Sequence, residues 1–546
     1  MTCAPSRRAP AFAALAIAAC AAFGLGGCGG GGATSSTSVS AHTFVDLVGE
    51  LPTSLDETAT PSPASAQTLP NWSSELVRPA PATPGATAQL PADGAVVPYL
   101  ATSWQRSANG SYTFELRRGV RGATGDPFTA ADVRWSFERA LARSPVAPFL
   151  FALARIDTAD PLTVIDSHRV RVNTTAPSPF TLSVLASYDL AIYDSRVYRA
   201  NASASDPWAQ QWGATHSAGF GAYSVSLFVP RREIDLAANA GFWRPPYYRQ
   251  VRILDVASSA GRLSQVLAGN ATHTSGLSWQ DFGTAVQNGG PDGVSAGILQ
   301  TGPGVIAWHL NIAHGPLANP LVRQAISLGV NRIEIANGLA GGYYEPSVLT
   351  IPAIFGQTQP AKTFDPVQAR SLMRAAGYPD GITLKVYTSS AEIGGSGSKL
   401  LNFLYNEMIQ IGVILQITYV GDSDQLLALE QNPGLESTID TDAPLLGGAG
   451  FLLEENANAK LDPISHAVEQ HYTTTALQTL LDQLASSSGG SATRGLIGQA
   501  AGAIDTITPT INLIALPVQN VTRSNVTGYG AYTEPVTYYE YLHPRA

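Results

Sequence analysis

Three short stretches near residue 100 decide the fold class: PYLATSW at 98–104, YTFELRRGV at 112–120 and DPFTAADV at 126–133. Within them, residues 111–116 alternate polar and apolar side chains, which predicts a β-strand. Further on, Thr129 stands three residues before Asp132 in the manner of a helix N-cap, so we expect a helix over residues 133–142. The stretches therefore predict a strand, a loop and a capped helix in succession.

The same alternation of elements continues in the C-terminal half. Predicted helices cover residues 321–339, 365–377 and 400–411, and predicted strands cover residues 382–387 and 413–420. Proline lies at or near the start of the first two helices, and glycine lies at or just past the end of each of the three. Strands that alternate with helices indicate an α/β architecture.

These segments resemble the family 5 extracellular solute-binding proteins, the oligopeptide, dipeptide and nickel binders of ABC importers. Further stretches that carry the resemblance are VRQAI at 322–326, Asn331-Arg332, AAGYPDG at 375–381, IALP at 514–517 and VTGY at 526–529. The resemblance covers about the whole chain after the N-terminal segment.

The resemblance implies an α/β fold like that of periplasmic binding proteins. Two lobes are joined by a two-strand hinge, and lobe I carries an extra subdomain. We expect lobe I at residues 42–300 and 505–546, its extra subdomain at about 76–215, and lobe II at residues 301–504. Such proteins close around a ligand that bridges the lobes, and the transporter recognises the closed form.

The N-terminal segment has the pattern of a secretion signal. Two arginines precede an apolar stretch at residues 11–25 that is too short to span a bilayer, and the sequence Leu-Gly-Gly before Cys28 resembles a bacterial lipobox. We predict that residues 1–27 are a signal peptide, that Cys28 is lipidated and that residues 28–41 form a flexible tether. The lipid then holds the protein at the outer face of the cell membrane, or at the periplasmic side of a membrane in a two-membrane bacterium.

Composition and motifs exclude several functions. The net charge is −9 and no run of Lys or Arg occurs, so nucleic acid is not expected as a partner. Two of the three cysteines fall in the predicted signal peptide, which leaves no disulfide. There is no GxSxG, phosphate-binding Gly-Lys-Ser/Thr or HExxH motif, so we expect neither an enzyme nor a cofactor. His309 and His314, like His466 and His471, are five residues apart without acidic or cysteine partners, which predicts no metal site.

Polar candidate ligand-binding residues lie at the end of one predicted strand and in a later acidic segment. In dipeptide binders, an arginine after the strand equivalent to residues 382–387 pairs with the ligand carboxylate, but here Tyr387, Ser389 and Ser390 offer uncharged hydrogen bonds. The acidic segment that holds the ligand ammonium in peptide binders corresponds to Asp440 and Asp442, either of which can bind an amine. A solvated acidic loop is the alternative interpretation. The missing arginine favours longer peptides, or another solute, over dipeptides.

Aromatic candidates lie near the predicted crossover or on lobe II loops. Trp279, Trp308, Tyr343 and Tyr344 would suit a platform for a peptide or a ring-bearing ligand, with core packing as the alternative.

The sequence thus predicts a monomeric, exported, lipid-anchored protein that captures a peptide and delivers it to an ABC importer of two permeases and two ATPases. One alternative is the same fold with a non-peptide solute, such as haem, a metal chelate or an oligosaccharide. A second is a ligand sensor for a membrane receptor. An exported hydrolase is disfavoured because a nucleophile and base are missing.

Overall fold

The structure is a computed structural model that describes part of the chain. The described residues are 42–56, 68–81, 95–290, 293–347, 362–393, 396–430, 432, 434–442, 453, 474–487, 490–530 and 536–545, without the side chains of 300–303, 391, 392, 424, 427 and 442. The predicted signal peptide, Cys28, the tether and the pair His466 and His471 lie outside the described residues. Residues Val39–Ala546 form one compact unit. In the described ranges, no helix is long and apolar enough to span a membrane.

The regular elements have the following bounds. The strands are β1 (Thr43–Val48), β2 (Val77–Pro79), β3 (Val96–Pro98), β4 (Ala101–Arg106), β5 (Tyr112–Leu116), β6 (Leu162–Asp166), β7 (Arg169–Val172), β8 (Tyr223–Val229), β9 (Glu233–Ala238), β10 (Gln250–Asp255), β11 (His273–Thr274), β12 (Val294–Leu310), β13 (Ile382–Ser389), β14 (Val413–Val420), β15 (Ser437–Asp442), β16 (Thr510–Arg523), β17 (Val526–Thr527) and β18 (His543–Pro544). The α-helices are Ala130–Arg143, Ala147–Leu153, Thr181–Val184, Ser195–Ala200, Gln210–Gly213, Ser259–Leu267, Trp279–Asn288, Pro320–Gly329, Arg332–Glu334, Pro366–Ala375, Ser390–Ile393, Gly397–Gln410, Ser423–Glu430, Thr475–Ala485 and Gly490–Ile507.

Ten of the described strands form one mixed sheet, in the order β14-β13-β15-β12-β16-β11-β1-β10-β9-β8. The long strands β12 and β16 lie antiparallel at its centre. β11 pairs with the C-terminal part of β16, whereas β15 pairs with the C-terminal part of β12. We call the side with β1 and β8–β11 the lobe I sheet, and the side with β13–β15 the lobe II sheet. The predicted α/β class is confirmed.

The two central strands pair irregularly where they pass between the lobe sheets. Register shifts separate Ile298 from Gln300 and Gln300 from Gly304 on β12. Pro517 lies opposite this region on β16 and has no N–H to donate. Because fewer ladder hydrogen bonds hold the strands here, this region can serve as a hinge. The pairing of the central strands shows that β12 passes from lobe I to lobe II beside residue 300 and that β16 passes back at residues 516–518. The residue limits of the two lobes as domains stay predictions.

Local capping chemistry sets several helix starts. The backbone N–H of Thr129 donates to the Asp132 carboxylate at 2.8 Å, and the helix begins at the next residue, Ala130, three residues before the predicted start at 133. Likewise, Asp365 accepts from the N–H of Gln368 at 2.8 Å and caps Pro366–Ala375. Gly377, with φ of 92°, follows that helix in the left-handed region that glycine tolerates.

The predicted single helix over residues 321–339 is wrong. The chain instead forms Pro320–Gly329, a short helix Arg332–Glu334 and a π-helical turn Ile335–Leu339. The break falls at Asn331, whose backbone N–H donates to Glu407 at 3.1 Å and whose side chain caps the second helix. A contact with a residue distant in sequence therefore overrides the local helical pattern.

A separate four-stranded sheet, in the order β4-β5-β7-β6, lies inside the range predicted for the extra subdomain. The helix Ala130–Arg143 packs against β6, and Phe114 and Phe137 join the largest hydrophobic cluster, which also includes the lobe I residue Phe44. Two buried ion pairs tie other segments to this region. Arg139 lies 2.6 Å from Asp56, and Arg78 lies 2.5 Å from Glu540 near the C-terminus.

Candidate functional site

The carboxyl ends of the parallel strands in both lobes lie on the hinge side of their sheets. In lobe I, β1 is parallel to β10 and β11, so Val48, Asp255 and Thr274 share one edge, from which β16 leads to the hinge. In lobe II, β13 is parallel to β14 and β15, and Asp442 at the end of β15 pairs with Val305 beside the hinge. Ligands of open α/β sheets bind outside the carboxyl ends of strands. The two edges therefore bound a candidate ligand cleft with the hinge at its base.

The residues at the end of β13 and just after it lie at the lobe II edge and differ in exposure. Tyr387 pairs with Thr438 and is half-buried, and Ser389 is fully buried at the end of the strand. Ser390 is exposed and begins the helix Ser390–Ile393. Tyr387 and Ser390 are therefore the members of this group that can offer a hydroxyl to a ligand in this conformation.

Asp440 lies on β15 against a buried histidine. Its carboxylate, 14% exposed, is 2.9 Å from Nε2 of His309 on β12, and Nδ1 of His309 is 3.3 Å from the hydroxyl of Thr510. The Asp440 carboxylate keeps some solvent access beside this contact, so a cationic amine can approach it. Asp442 pairs through its backbone with Val305, and its side chain is not among the described parts of the chain.

Two of the predicted aromatic residues pack beside the hinge. The rings of Trp279 and Tyr344 are 5.8 Å apart, and the Tyr344 hydroxyl accepts a hydrogen bond from the Gln519 side chain on β16. Gln519 also bonds the backbone N–H and carbonyl of Leu277, at 2.7 and 3.0 Å. Burial raises the pKa of Tyr344 to about 12. Tyr343 is half-buried and packs edge-on against the helix Trp279–Asn288.

Trp308 does not reach the cleft. It is 0% exposed and belongs to the lobe II hydrophobic cluster together with Ile306 and Leu310 on the same strand. Since side chains alternate along a strand, its neighbour His309 faces the other side of the sheet, where it meets Asp440. The predicted role of Trp308 in an aromatic platform is therefore corrected to core packing.

Sequence reasoning missed Arg262, which shapes the lobe I edge from inside. This buried guanidinium donates to the carbonyls of Val256 and Gly276, each at 2.7 Å, and so joins the segments that follow β10 and β11. Burial lowers the pKa of Arg262, against the opposing effect of Asp255 and Asp281. An isolated arginine in a helix has no motif, so no sequence signal pointed to it.

Sequence reasoning also missed a contact between the lobes at the end of the cleft far from the hinge. Nη2 of Arg231, in the turn between β8 and β9, lies 2.9 Å from Oδ2 of Asp422, which follows β14. β8, β9 and β14 lie toward opposite ends of the ten-stranded order. The lobes thus meet both at the hinge and at this ion pair. Over the described part of the chain, no group of three or more His, Cys, Asp or Glu is arranged to hold a metal ion.

Comparison with known sequences decides the family. Residues 95–441 match the family described as bacterial extracellular solute-binding proteins, family 5 Middle. The chain belongs to this family. Family 5 membership confirms the resemblance seen in the sequence. Because family 5 consists of binding proteins, it also agrees with the expectation that the chain is not an enzyme.

Individual family 5 relatives are distant in sequence. The glutathione-binding protein GsiB of Shigella boydii is 24% identical over 351 residues, and this match covers 62% of the chain and 64% of GsiB. The chain therefore aligns with less than two thirds of the length of this curated relative.

Solved structures of family 5 type share the fold over nearly the whole chain. The dipeptide-binding protein of Pseudoalteromonas sp. SM9913 in complex with Met-Leu has a TM-score of 0.80 at 17% identity, covering 92% of this chain and 100% of that one. DppA of Helicobacter pylori in complex with the peptide STSA has a TM-score of 0.78 at 20% identity, covering 92% and 98%. The predicted two-lobed periplasmic-binding-protein fold is confirmed.

Proposed function

We propose that this family 5 protein captures a peptide between its two lobes and delivers it to an ABC importer of two permeases and two ATPases. The observation that carries the proposal is the pair of strand edges that face the two-strand hinge from both lobes. A ligand that touches both edges has higher affinity for the closed arrangement than for the open one, and so shifts the population toward closure. A transporter that recognises closed lobes then receives loaded protein.

The ligand we propose is a peptide with a free amino terminus. Asp440 keeps part of its carboxylate accessible, and Asp442 lies two residues further along β15, toward the hinge. We assign ligand-ammonium binding to these two residues. Tyr387 and Ser390 supply hydrogen bonds to peptide groups, and residues 388–398 contain no Lys or Arg in place of the missing arginine. We therefore propose that the protein recognises the backbone of the peptide, and this mode of binding favours peptides longer than two residues. The peptides bound in the two solved structures, Met-Leu and STSA, support a peptide ligand.

We also propose that the protein works outside the cell on a lipid anchor and as a monomer. Cys28 is the single cysteine left after the predicted cleavage and stands in the lipobox pattern. A flexible chain as long as the proposed tether at 28–41 would have a root-mean-square reach of about 20 Å, enough for the folded unit to leave the membrane surface.

A thermal-shift screen tests the ligand class. The unit Val39–Ala546, which contains all described elements, is screened against dipeptides, longer peptide pools, haem, nickel chelates and oligosaccharides. A ligand that binds only the folded state, at 100 times its Kd, stabilises it by about 2.7 kcal/mol and raises the Tm. A rise with longer peptides supports the proposal. If the Tm rises only with another solute, that solute replaces the peptide as the proposed ligand. If the Tm rises with none of the compounds, the result contradicts solute capture.

Asp440→Asn tests the ammonium contact with the best peptide. Loss of a charged hydrogen bond of about 1.5–3 kcal/mol should weaken binding by roughly 10- to 150-fold, as calorimetry would show. The same peptide with an acetylated amino terminus should bind the substituted and unsubstituted proteins equally. Asp380→Asn, an exposed site at the other end of β13, is the matched control. Equal loss for the acetylated peptide would argue against amine recognition.

Deletion of the gene distinguishes import from sensing. A transporter component is required for uptake of the peptide, whereas a sensor that reports to a membrane receptor is not. Uptake of labelled peptide that survives the deletion would therefore overturn the import role.

A further inference from the structure

We propose that Arg231 and Asp422 form an electrostatic latch that stabilises the closed arrangement of the lobes. The two residues come from different lobe sheets and meet at 2.9 Å across the end of the cleft opposite the hinge. A contact at this distance from the hinge breaks as soon as the lobes rotate apart. The latch acts on the lobes themselves, so it does not depend on which solute the cleft binds.

The backbone of Arg231 is in a conformation that an arginine rarely adopts. Its φ is 55°, in the left-handed region, and it stands third in the turn Val229–Arg232, which the N–H of Arg232 closes on the carbonyl of Val229 at 3.0 Å. Pro230 precedes it. A turn with proline second and positive φ third favours glycine or asparagine at the third position. Such strain is kept where a side chain has a function, and here the side chain reaches the other lobe.

Asp422 is held in place on the opposite side. Its Oδ1 accepts a hydrogen bond from the N–H of Gln425 at 2.9 Å, which caps the helix Ser423–Glu430, while Oδ2 faces Arg231. The hydrogen bonds from Arg231 and from the Gln425 N–H lower the pKa of Asp422, so the carboxylate is charged at neutral pH. The acceptor is therefore positioned before the lobes meet, and only the arginine has to be ordered on closure.

The exposure of the pair sets the size of the effect. The Asp422 side chain is 12% exposed, but that of Arg231 is 49% exposed, so solvent and salt screen the attraction. Ion pairs of this kind shift an equilibrium by up to about fivefold. The latch alone does not close the protein, but it raises the closed fraction, and the apparent affinity for a ligand of the closed form rises in proportion.

Two substitutions isolate the latch from the fold. Arg231→Gly removes the charge and suits the positive φ, so it should not lower the Tm. Asp422→Asn removes the charge but keeps a helix-capping side chain. Arg232→Ala removes the neighbouring exposed arginine in the same turn and is the matched control.

Distances between the lobes are measured by pulsed electron resonance on the unit Val39–Ala546, which has no native cysteine. Spin labels go on Ser226→Cys and Gln416→Cys, exposed positions on the edge strands β8 and β14. Without any added solute, Arg231→Gly and Asp422→Asn should each lower the ratio of closed to open protein by about two- to fivefold, with no further fall in the double variant. The Arg232→Ala ratio should be unchanged.

Three results would overturn the latch. The first is a ratio of closed to open protein that neither charge-removing substitution changes. The second is a fall in this ratio of equal size in Arg232→Ala. The third is the absence of any population at the closed distance in the unsubstituted protein. Because no ligand is added, these results are independent of the proposed peptide capture.

Discussion

Replacing Glu407 with glutamine should flatten the pH dependence of stability. Glu407 lies on the helix Gly397–Gln410, and both of its carboxylate oxygens accept from the N–H of Asn331, at 3.1 and 3.2 Å. Burial raises the pKa of Glu407 from 4.5 to about 7, against the effects of that hydrogen bond and of Arg332, and Glu334 adds to the rise. The buried carboxyl therefore keeps its proton in the folded state through mildly acidic pH.

The sign and size follow from linkage. A folded-state pKa above the unfolded value means that the folded protein binds the proton more tightly, so this contribution to stability is full below pH 4.5 and is lost as the pH rises through about 7. The difference between the two pKa values corresponds to about 3 kcal/mol. Glutamine does not titrate but keeps an oxygen acceptor for Asn331. As the pH rises from 4.5 to 8, the unsubstituted protein should therefore lose about 3 kcal/mol of unfolding free energy that Glu407→Gln does not lose.

The measurement is urea unfolding followed by circular dichroism at several pH values across this range. Glu138→Gln, which removes a partly exposed carboxylate on the helix Ala130–Arg143, serves as the control for loss of a carboxylate that is not buried. If the Glu407→Gln profile coincides with that of the unsubstituted protein, Glu407 ionises at the same pH in both states, and the argument from burial fails.

Two further substitutions test the packing of the lobe I region. Arg139→Met removes the cation beside the buried Asp56 carboxylate and should cost about 3–5 kcal/mol in urea unfolding. Arg134→Met, which removes a partly exposed partner of Glu138, should cost less than about 1 kcal/mol, and equal costs would contradict the burial argument. Gly221→Ala places a Cβ 2.8 Å from the Trp72 backbone and should lower stability by about 1–3 kcal/mol by the same measurement. Gly297→Ala is the control and should not lower stability, because no atom lies within 4 Å of the added Cβ. If Gly221→Ala is as stable as the unsubstituted protein, the backbone around it relaxes and the packing argument fails.

Local patterns predicted much of the secondary structure. The strand over residues 413–420 has the predicted limits, and the helix predicted behind Thr129 is present, although it begins at Ala130 and not at 133. Both depend on interactions between residues a few positions apart, which a sequence displays directly. The failure at Asn331 has the opposite origin, because its partner Glu407 lies 76 residues away.

The candidate site was predictable only in part. The resemblance to family 5 selected the segments around Tyr387 and Asp440, because members of that family contact their ligand with the segments between the lobes. It could not predict that Trp308 is buried or that Asp440 meets His309, since both depend on which strands become neighbours and in which register. One residue of register moves a side chain to the other face of a sheet.

By itself, the sequence determined the α/β class, the family and the strand–helix units around residues 98–133, because periodicity, caps and ordered motifs are properties of short segments. Only the tertiary structure decided that the long strands β12 and β16 run through both lobes, that Arg262 supports the lobe I edge, and that Arg231 reaches Asp422. These contacts join residues as far apart in the chain as Val294 and Arg523. Their formation depends on the balance of burial, pairing and charge in the whole folded chain, which no single segment records.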